Sequence, residues 1–336
     1  MKIYNSYCPL RLLAPSDDGK NTTFAHSLPQ SLVMMRLQPL FKDAPAGFQL
    51  FLFLGLLVFG LLAGMITGML FLHFSDGLST ISLVDPEGPE ALRAARIMQI
   101  CSQIGLFFFP PFAYAFLLSL KPSAFLGINK IARPAILLPA ILLMFISLPA
   151  VHFLSEINKS VHLPDWLSSL EVWMQDKEAQ AEKLTNFFLS VDTIGGLMIN
   201  LIMIALLPAM GEELVFRSVL QPKFIGILKN PHIGIIATAL VFSIIHMQFY
   251  GLLPRFILGL FLGYFYYWSG SILVPVVMHL ANNGAAVIAF YLHHNQVSAV
   301  AMDEFGESAS FITILLSVVF SLFLVLFGRR ISNSVK

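Results

Sequence analysis

Charge is scarce in this sequence. Only 12% of its 336 residues are Asp, Glu, Lys or Arg, about half the roughly 25% of a soluble globular protein. With 57% hydrophobic residues and 31 Phe, the deficit excludes an ordinary soluble domain and reads as a polytopic membrane protein. The net charge of +1 offers no basic surface, so nucleic acid is not an expected partner. Cysteine is almost missing: Cys8 and Cys101 cannot make a disulfide framework or a cysteine-rich zinc cluster. No HExxH occurs, so the usual zincin helix is excluded. There is no GxSxG, no serine with an evident triad and no P-loop. The first 33 residues lack the basic-then-apolar order of a signal peptide. Two readings of them stay open: a disordered cytoplasmic tail over residues 1–47, or a true start near Met34 rather than at Met1.

What is present is a series of apolar runs. A helix needs about 20 apolar residues to cross a bilayer. Eight segments come near that: Phe48–Phe74, Ile97–Leu120, Pro134–Leu154, Gly195–Val219, Ile233–Tyr250, Phe256–Trp268, Ile272–Leu292 and Phe311–Phe327. The expected fold is therefore all-α, a helical bundle of about eight transmembrane helices. The long loop Ser155–Leu189 is polar, and residues 168–189 within it predict an amphipathic surface helix. Loop charge predicts that both termini are cytoplasmic. Arg93, Arg96, Lys159, Lys177, Lys183 and Arg255 fall on outer segments, leaving 14 of the 20 basic residues inside. If the source is bacterial, the membrane is the cytoplasmic one.

Three polar clusters sit inside this apolar sequence: Glu212-Glu213 with Arg217, then His246, then His279 with Asn283. Ionisable residues at membrane depth are costly and are usually functional. Glu213 and Arg217 are four apart, share a helix face and can pair. Glu212 then points about 100° away and is free to act as a base. The bland reading ends the helix in interfacial water at both glutamates. His246 shares a face with Phe242, and a lone histidine there is more often a hydrogen-bonded core residue than a catalyst. His279 and Asn283 are again four apart and aim into one space, although such residues also serve as interhelical glue. Asn282 lies off that face. Straight helices would leave His246 and His279 about 10 Å apart in depth, so tilt, a break near Pro275 or different span limits must absorb the offset. Gly259 and Gly263 have GxxxG spacing and predict close helix packing.

The ordered set EExxxR, FxxxH and HxxxN resembles the CPBP intramembrane proteases, which include CAAX prenyl proteases, relatives of lysostaphin resistance protein A and the Abi group. The resemblance covers roughly residues 197–292. It divides the chain into a tail (1–47), amino-terminal transmembrane helices with the polar loop (48–194), a protease core (195–292), and a last loop, helix and basic tail (293–336). It implies an endopeptidase in which Glu212 and His246 activate water, His279 and Asn283 form the oxyanion pocket, and Glu213 and Arg217 are structural support. Its expected partners are the lipid bilayer and a membrane protein or peptide substrate. Glu212, His246 and His279 could also ligate zinc with an open position. Glutamate and histidine can equally activate water unaided, and the metal-independent reading is preferred. Two other classes compete: a proton-coupled transporter, whose expected inverted repeat is not evident, and a non-catalytic scaffold or immunity factor.

Overall fold

The computed structural model describes residues 39–76, 88–298 and 310–333. The start near Met34, Cys8 and most of the loop after Asn295 lie outside them. Every regular element among the described residues is helical. Helix α1 (Ala46–Asp76) is followed by α2 (Gly88–Gln103), which runs through a π-helical stretch, Ile104–Phe108, into α3 (Phe109–Leu118). A short α4 (Pro122–Phe125) leads to α5 (Pro134–Ile146) and α6 (Leu148–Lys159). The amphipathic stretch forms α7 (Ser168–Leu189), whose Phe188 and Leu189 are buried. Then α8 (Ile194–Asn200), α9 (Leu207–Glu213) and α10 (Gln221–Leu228) join through π-helical stretches Leu201–Leu206 and Leu214–Leu220 into one 35-residue run. Helices α11 (Pro231–Ile244), α12 (Leu252–Ser269), α13 (Leu273–His294) and α14 (Phe311–Asn333) complete the bundle.

Each π-helical stretch ends two residues before a proline: Pro110, Pro208 and Pro222. Proline has no N–H to give the carbonyl four residues back. The residue just before each proline donates five residues back, Phe109 to Ile104, Leu207 to Ile202 and Gln221 to Phe216, and the helix runs on. Two of the three stretches flank Glu212-Glu213, so the prolines set the local winding around the first polar cluster.

The eight predicted spans become six long apolar helical runs, or seven when α5 and α6 are taken together. That pair bends by 44° where Pro149 opens α6, a proline kink. The shortfall is α11. Its 14 residues reach about 21 Å at 1.5 Å each, short of a hydrocarbon core about 30 Å thick. It packs against α10 and α12. The predicted Ile233–Tyr250 span ends at Ile244 because the chain leaves the helix just before His246. Conversely, the predicted short span at 256–268 is a full 21-residue run, Phe249–Ser269. The protein is an integral, multi-pass membrane protein.

Two apolar clusters hold these helices together. One joins Phe53 of α1 and Tyr114 of α3 to Leu214, Val215, Phe216, Val219 and Leu220 and to Phe242 of α11. The other joins α5, α12, α13 and α14 through Leu143, Phe265, Met278 and Leu324. Phe51 and Phe59 of α1 and Phe320 and Phe323 of α14 point outward, as lipid-facing side chains do.

Candidate active site

The site is built around a buried ionic frame. Glu213 and Arg217 are both 0% exposed, and Arg217 Nη1 donates to Glu213 Oε1 at 3.0 Å. An isolated charge at this depth is costly, and pairing is what makes it tolerable. Arg217 Nη2 also donates to the Gly259 carbonyl at 3.3 Å, and its guanidinium lies 4.8 Å from the centre of the Phe242 ring. One turn further on, Gln221 Nε2 donates to the Gly263 carbonyl at 3.0 Å. The GxxxG spacing on α12 thus presents two carbonyls to two donors of the α9–α10 run. It also admits α11: a Cβ on Gly259 would stand 3.2 Å from Ala239 Cβ, and one on Gly263 2.9 Å from Ile235 Cγ2. Gln221 went unnoticed in the sequence, although its position four residues after Arg217 marks the same helix face.

His279 of α13 joins the frame. Its Nδ1 lies 2.9 Å from Glu213 Oε1. A carboxylate oxygen accepts, so Nδ1 carries the proton and Nε2 points away with a lone pair when the ring is neutral. His246 is prepared in the same way by a different partner. Its Nδ1 donates to the Phe242 carbonyl at 2.7 Å, again leaving Nε2 as the free nitrogen.

Both free nitrogens aim at one atom. Glu212 Oε2 is 3.8 Å from His246 Nε2 and 3.9 Å from His279 Nε2. That oxygen is buried and has no hydrogen-bond partner. Three electron-rich atoms facing one another without a donor are poorly arranged for stability, because a buried acceptor left unpaired is costly. They are well arranged to surround a species that brings protons, such as water. The depth offset expected of the two histidines does not arise, since α11 stops at Ile244 and His246 sits on the turn beyond it.

The gap opens into a cavity of about 550 Å³ lined by Glu212, His246, His279 and Asn283, with Gln103, Gln248 and Arg255 further along and Leu184, Thr185 and Phe188 of α7 at one wall. Asn283 Nδ2 donates to the Ile204 carbonyl at 3.2 Å. Pro208 explains that acceptor, since it withholds the N–H that Ile204 would otherwise receive. Asn282, expected off that face, also lines the cavity and donates to Asn283 Oδ1 at 3.2 Å. The structure therefore gathers Glu212, His246, His279 and Asn283 on one cavity and places Glu213 and Arg217 behind them. Arg255 was a loop charge in the sequence; its place four residues after Gly251 carries no motif.

A helical membrane protein with a buried carboxylate facing two imidazoles is the class that fold and cavity define. Residues 194–285 match the Rce1-like family of type II CAAX prenyl endopeptidases, and this segment holds all six of the sequence's candidate residues. The chain is 31% identical over 113 residues to the uncharacterized protein YpbD of Bacillus subtilis (strain 168), covering 32% of this chain and 54% of that protein. It is 29% identical over 137 residues to the membrane-embedded CAAX protease MroQ of Staphylococcus aureus (strain USA300), covering 39% of this chain and 48% of that protein. The chain thus spans about half the length of these curated relatives. No solved structure matches it.

Proposed function

We propose that the chain is an intramembrane endopeptidase that hydrolyses a peptide bond of a membrane-associated protein or peptide. The observation that carries this reading is the convergence of His246 Nε2 and His279 Nε2 on the unpartnered Glu212 Oε2 at 3.8 and 3.9 Å. A water held there gives a proton to Glu212 as its oxygen bonds to the scissile carbonyl carbon, with His246 holding and orienting it. The carbonyl oxygen becomes an oxyanion. His279, having taken a proton from cavity water before the step and keeping it through the step, offers Nε2–H to that oxyanion from a ring fixed by Glu213, and Asn283 lies beside it. Collapse breaks the C–N bond, and the proton on Glu212 passes to the leaving amine. Water and amide become acid and amine, so the balance closes.

A divalent ion is the rival activator. Imidazoles backed by a carboxylate and a carbonyl are the kind of donor zinc takes. The spacing fits it less well. Bonds of about 2.0–2.2 Å put tetrahedral ligand atoms about 3.3 Å apart, closer than the 3.8 and 3.9 Å between the site atoms. We assign a metal-independent mechanism, under which hydrolysis persists in excess chelator.

The deciding experiment uses detergent-purified protein and a panel of lipid-anchored peptides. Wild type cleaves one of them, and Glu212→Gln loses about 10²–10⁴-fold, the usual contribution of a general base, with an unchanged melting curve. Near-wild-type activity in folded Glu212→Gln refutes the base. Loop charge assigns both termini to the cytoplasm, and beside the seven long runs that parity requires the short α11, together with the turn after it, to cross as an eighth segment. A cysteine at Asn230 would test it, but Asn230 Oδ1 caps α11 by accepting from His232 and Ile233 N–H. Gly226, with nothing within 4 Å of a would-be Cβ, is the better site. In a background lacking Cys8 and Cys101, an impermeant thiol reagent on intact cells should label Val297→Cys and spare Gly226→Cys. The reverse pattern overturns the orientation.

A further inference from the structure

His246 stands on irregular backbone. Helix α11 ends at Ile244, Met247 takes φ of 55°, and regular α-helix resumes only at Leu252. Peptide groups outside a helix have to find partners, and at membrane depth no bulk water supplies them. Side chains meet that need here, and two of them come from outside the family-matched segment.

Asn158, near the end of α6, uses both halves of its amide. Nδ2 donates to the Phe249 carbonyl at 2.7 Å, and Oδ1 accepts from the Leu253 N–H at 2.9 Å. Only one orientation of the amide satisfies both, since the flipped one sets oxygen against oxygen and N–H against N–H. From α7, Glu178 Oε2 accepts from the Tyr250 N–H at 3.3 Å, and the Trp173 ring lies 5.4 Å from that of Phe249. Ser243 and Arg255 take two further carbonyls, those of Leu252 at 2.6 Å and Gln248 at 3.1 Å. His246 itself is tied only to α11, through the Phe242 carbonyl. Met247 and Gln248, next in the chain, are held by the Ile244 carbonyl and by Arg255, and from Phe249 to Leu253 the path is held by α6 and α7.

We infer that Asn158, seconded by Glu178, is a positioning residue for His246, so that the α6–α7 segment is the mount of that imidazole and belongs to the working site. The inference rests on the proposed hydrolytic function for its kinetic consequence but not for its mechanical one. Release of Asn158 removes one of the two donors to the Phe249 carbonyl, which keeps the Leu252 N–H, and takes the side-chain acceptor from the Leu253 N–H. The turn then repacks, and His246 Nε2 leaves its place opposite Glu212. Substrate contacts elsewhere in the cavity stay as they are.

The test pairs kinetics with a readout that needs no activity. Asn158→Leu keeps the volume and removes both hydrogen bonds. It should lower kcat at least tenfold and leave KM within twofold, in protein that melts as one cooperative unit. Glu178→Ala should lower kcat several-fold, and Glu178→Gln, which keeps an acceptor for the Tyr250 N–H, should restore most of that loss. In parallel, Met247→Cys in a background lacking Cys8 and Cys101 is labelled with a thiol reagent in membranes. Asn158→Leu, or Glu178→Ala if Asn158→Leu does not fold, should raise the labelling rate several-fold. An unchanged labelling rate overturns the inference whatever the activity. A raised rate with unchanged kcat overturns the positioning role. A raised rate in a protein that cleaves no peptide supports the mount and counts against the proposed function instead.

Discussion

The two histidines reach the same oxygen from opposite structural situations. His279 lies within the 22-residue α13 with its side chain 8% exposed, and its ring is fixed by a carboxylate that is itself fixed by Arg217. His246 lies beyond the end of the 14-residue α11 with its side chain 26% exposed, held by a main-chain carbonyl. One half of the site is a rigid ionic frame inside regular helices. The other is a turn whose hydrogen bonds are supplied from α6 and α7. The difference suggests a division of labour. A group that meets developing charge gains from rigidity, since preorganised dipoles need no reorganisation during reaction. A group carried beyond the end of a helix depends instead on whatever holds the chain that follows it. Phe242 is the wall they share, with ring centres 4.9 Å from His246 and 6.1 Å from His279.

The comparison breaks first, and by the largest margin, at the frame. Glu213→Ala and Arg217→Ala each leave a fully buried charge without its partner, a loss of about 3–5 kcal/mol. Thermal melts in detergent should show clearly lowered midpoints, and expression should fall. Variants that melt as wild type and are merely inactive would move this pair out of the scaffold and into the chemistry, and the rigid half would lose its foundation.

A smaller effect sharpens the contrast directly. His279→Ala removes a hydrogen bond to a buried carboxylate, worth about 1.5–3 kcal/mol, so it should lower both stability and hydrolysis. His246→Ala removes a neutral bond to a carbonyl from a more exposed position, worth about 0.5–1.5 kcal/mol. It should abolish hydrolysis with a distinctly smaller change in melting. Equal losses of stability from the two would erase the distinction between frame and turn.

The frame was the legible half. Residues four apart on a helix announce a shared face, and that is how Glu213 with Arg217 and His279 with Asn283 stand out before any coordinates. The ion pair itself was readable, whereas the third member, His279, joins it across 66 residues, a separation that no local pattern encodes. The turn was nearly illegible. Nothing in the apolar run through 233–250 marks Ile244 as the last helical residue, so the span was drawn too long and His246 too far along a helix. Asn158 and Glu178 serve backbone groups rather than side chains, and main-chain acceptors leave no trace in residue identity. The bend between α5 and α6, by contrast, was available in Pro149 and passed over because the run stays apolar on both sides.

The smallest effect tests whether the rigid half is static during turnover. Gly284 is buried in α13 directly after Asn283, and a Cβ there would meet nothing within 4 Å. Its backbone angle is ordinary for a helix, so no left-handed conformation calls for glycine. In a helix interior glycine is about 0.5–1 kcal/mol less stable than alanine, because it leaves the unfolded chain more freedom to lose. Gly284→Ala should therefore raise the melting midpoint slightly. If α13 holds His279 and Asn283 in place throughout the reaction, stiffening it there costs nothing, and kcat stays within twofold of wild type. A stabler protein with a clearly lower kcat would mean that α13 flexes at Gly284 during the cycle. The half built on α13 would then not be rigid, and the division of labour between the two histidines would have to be abandoned.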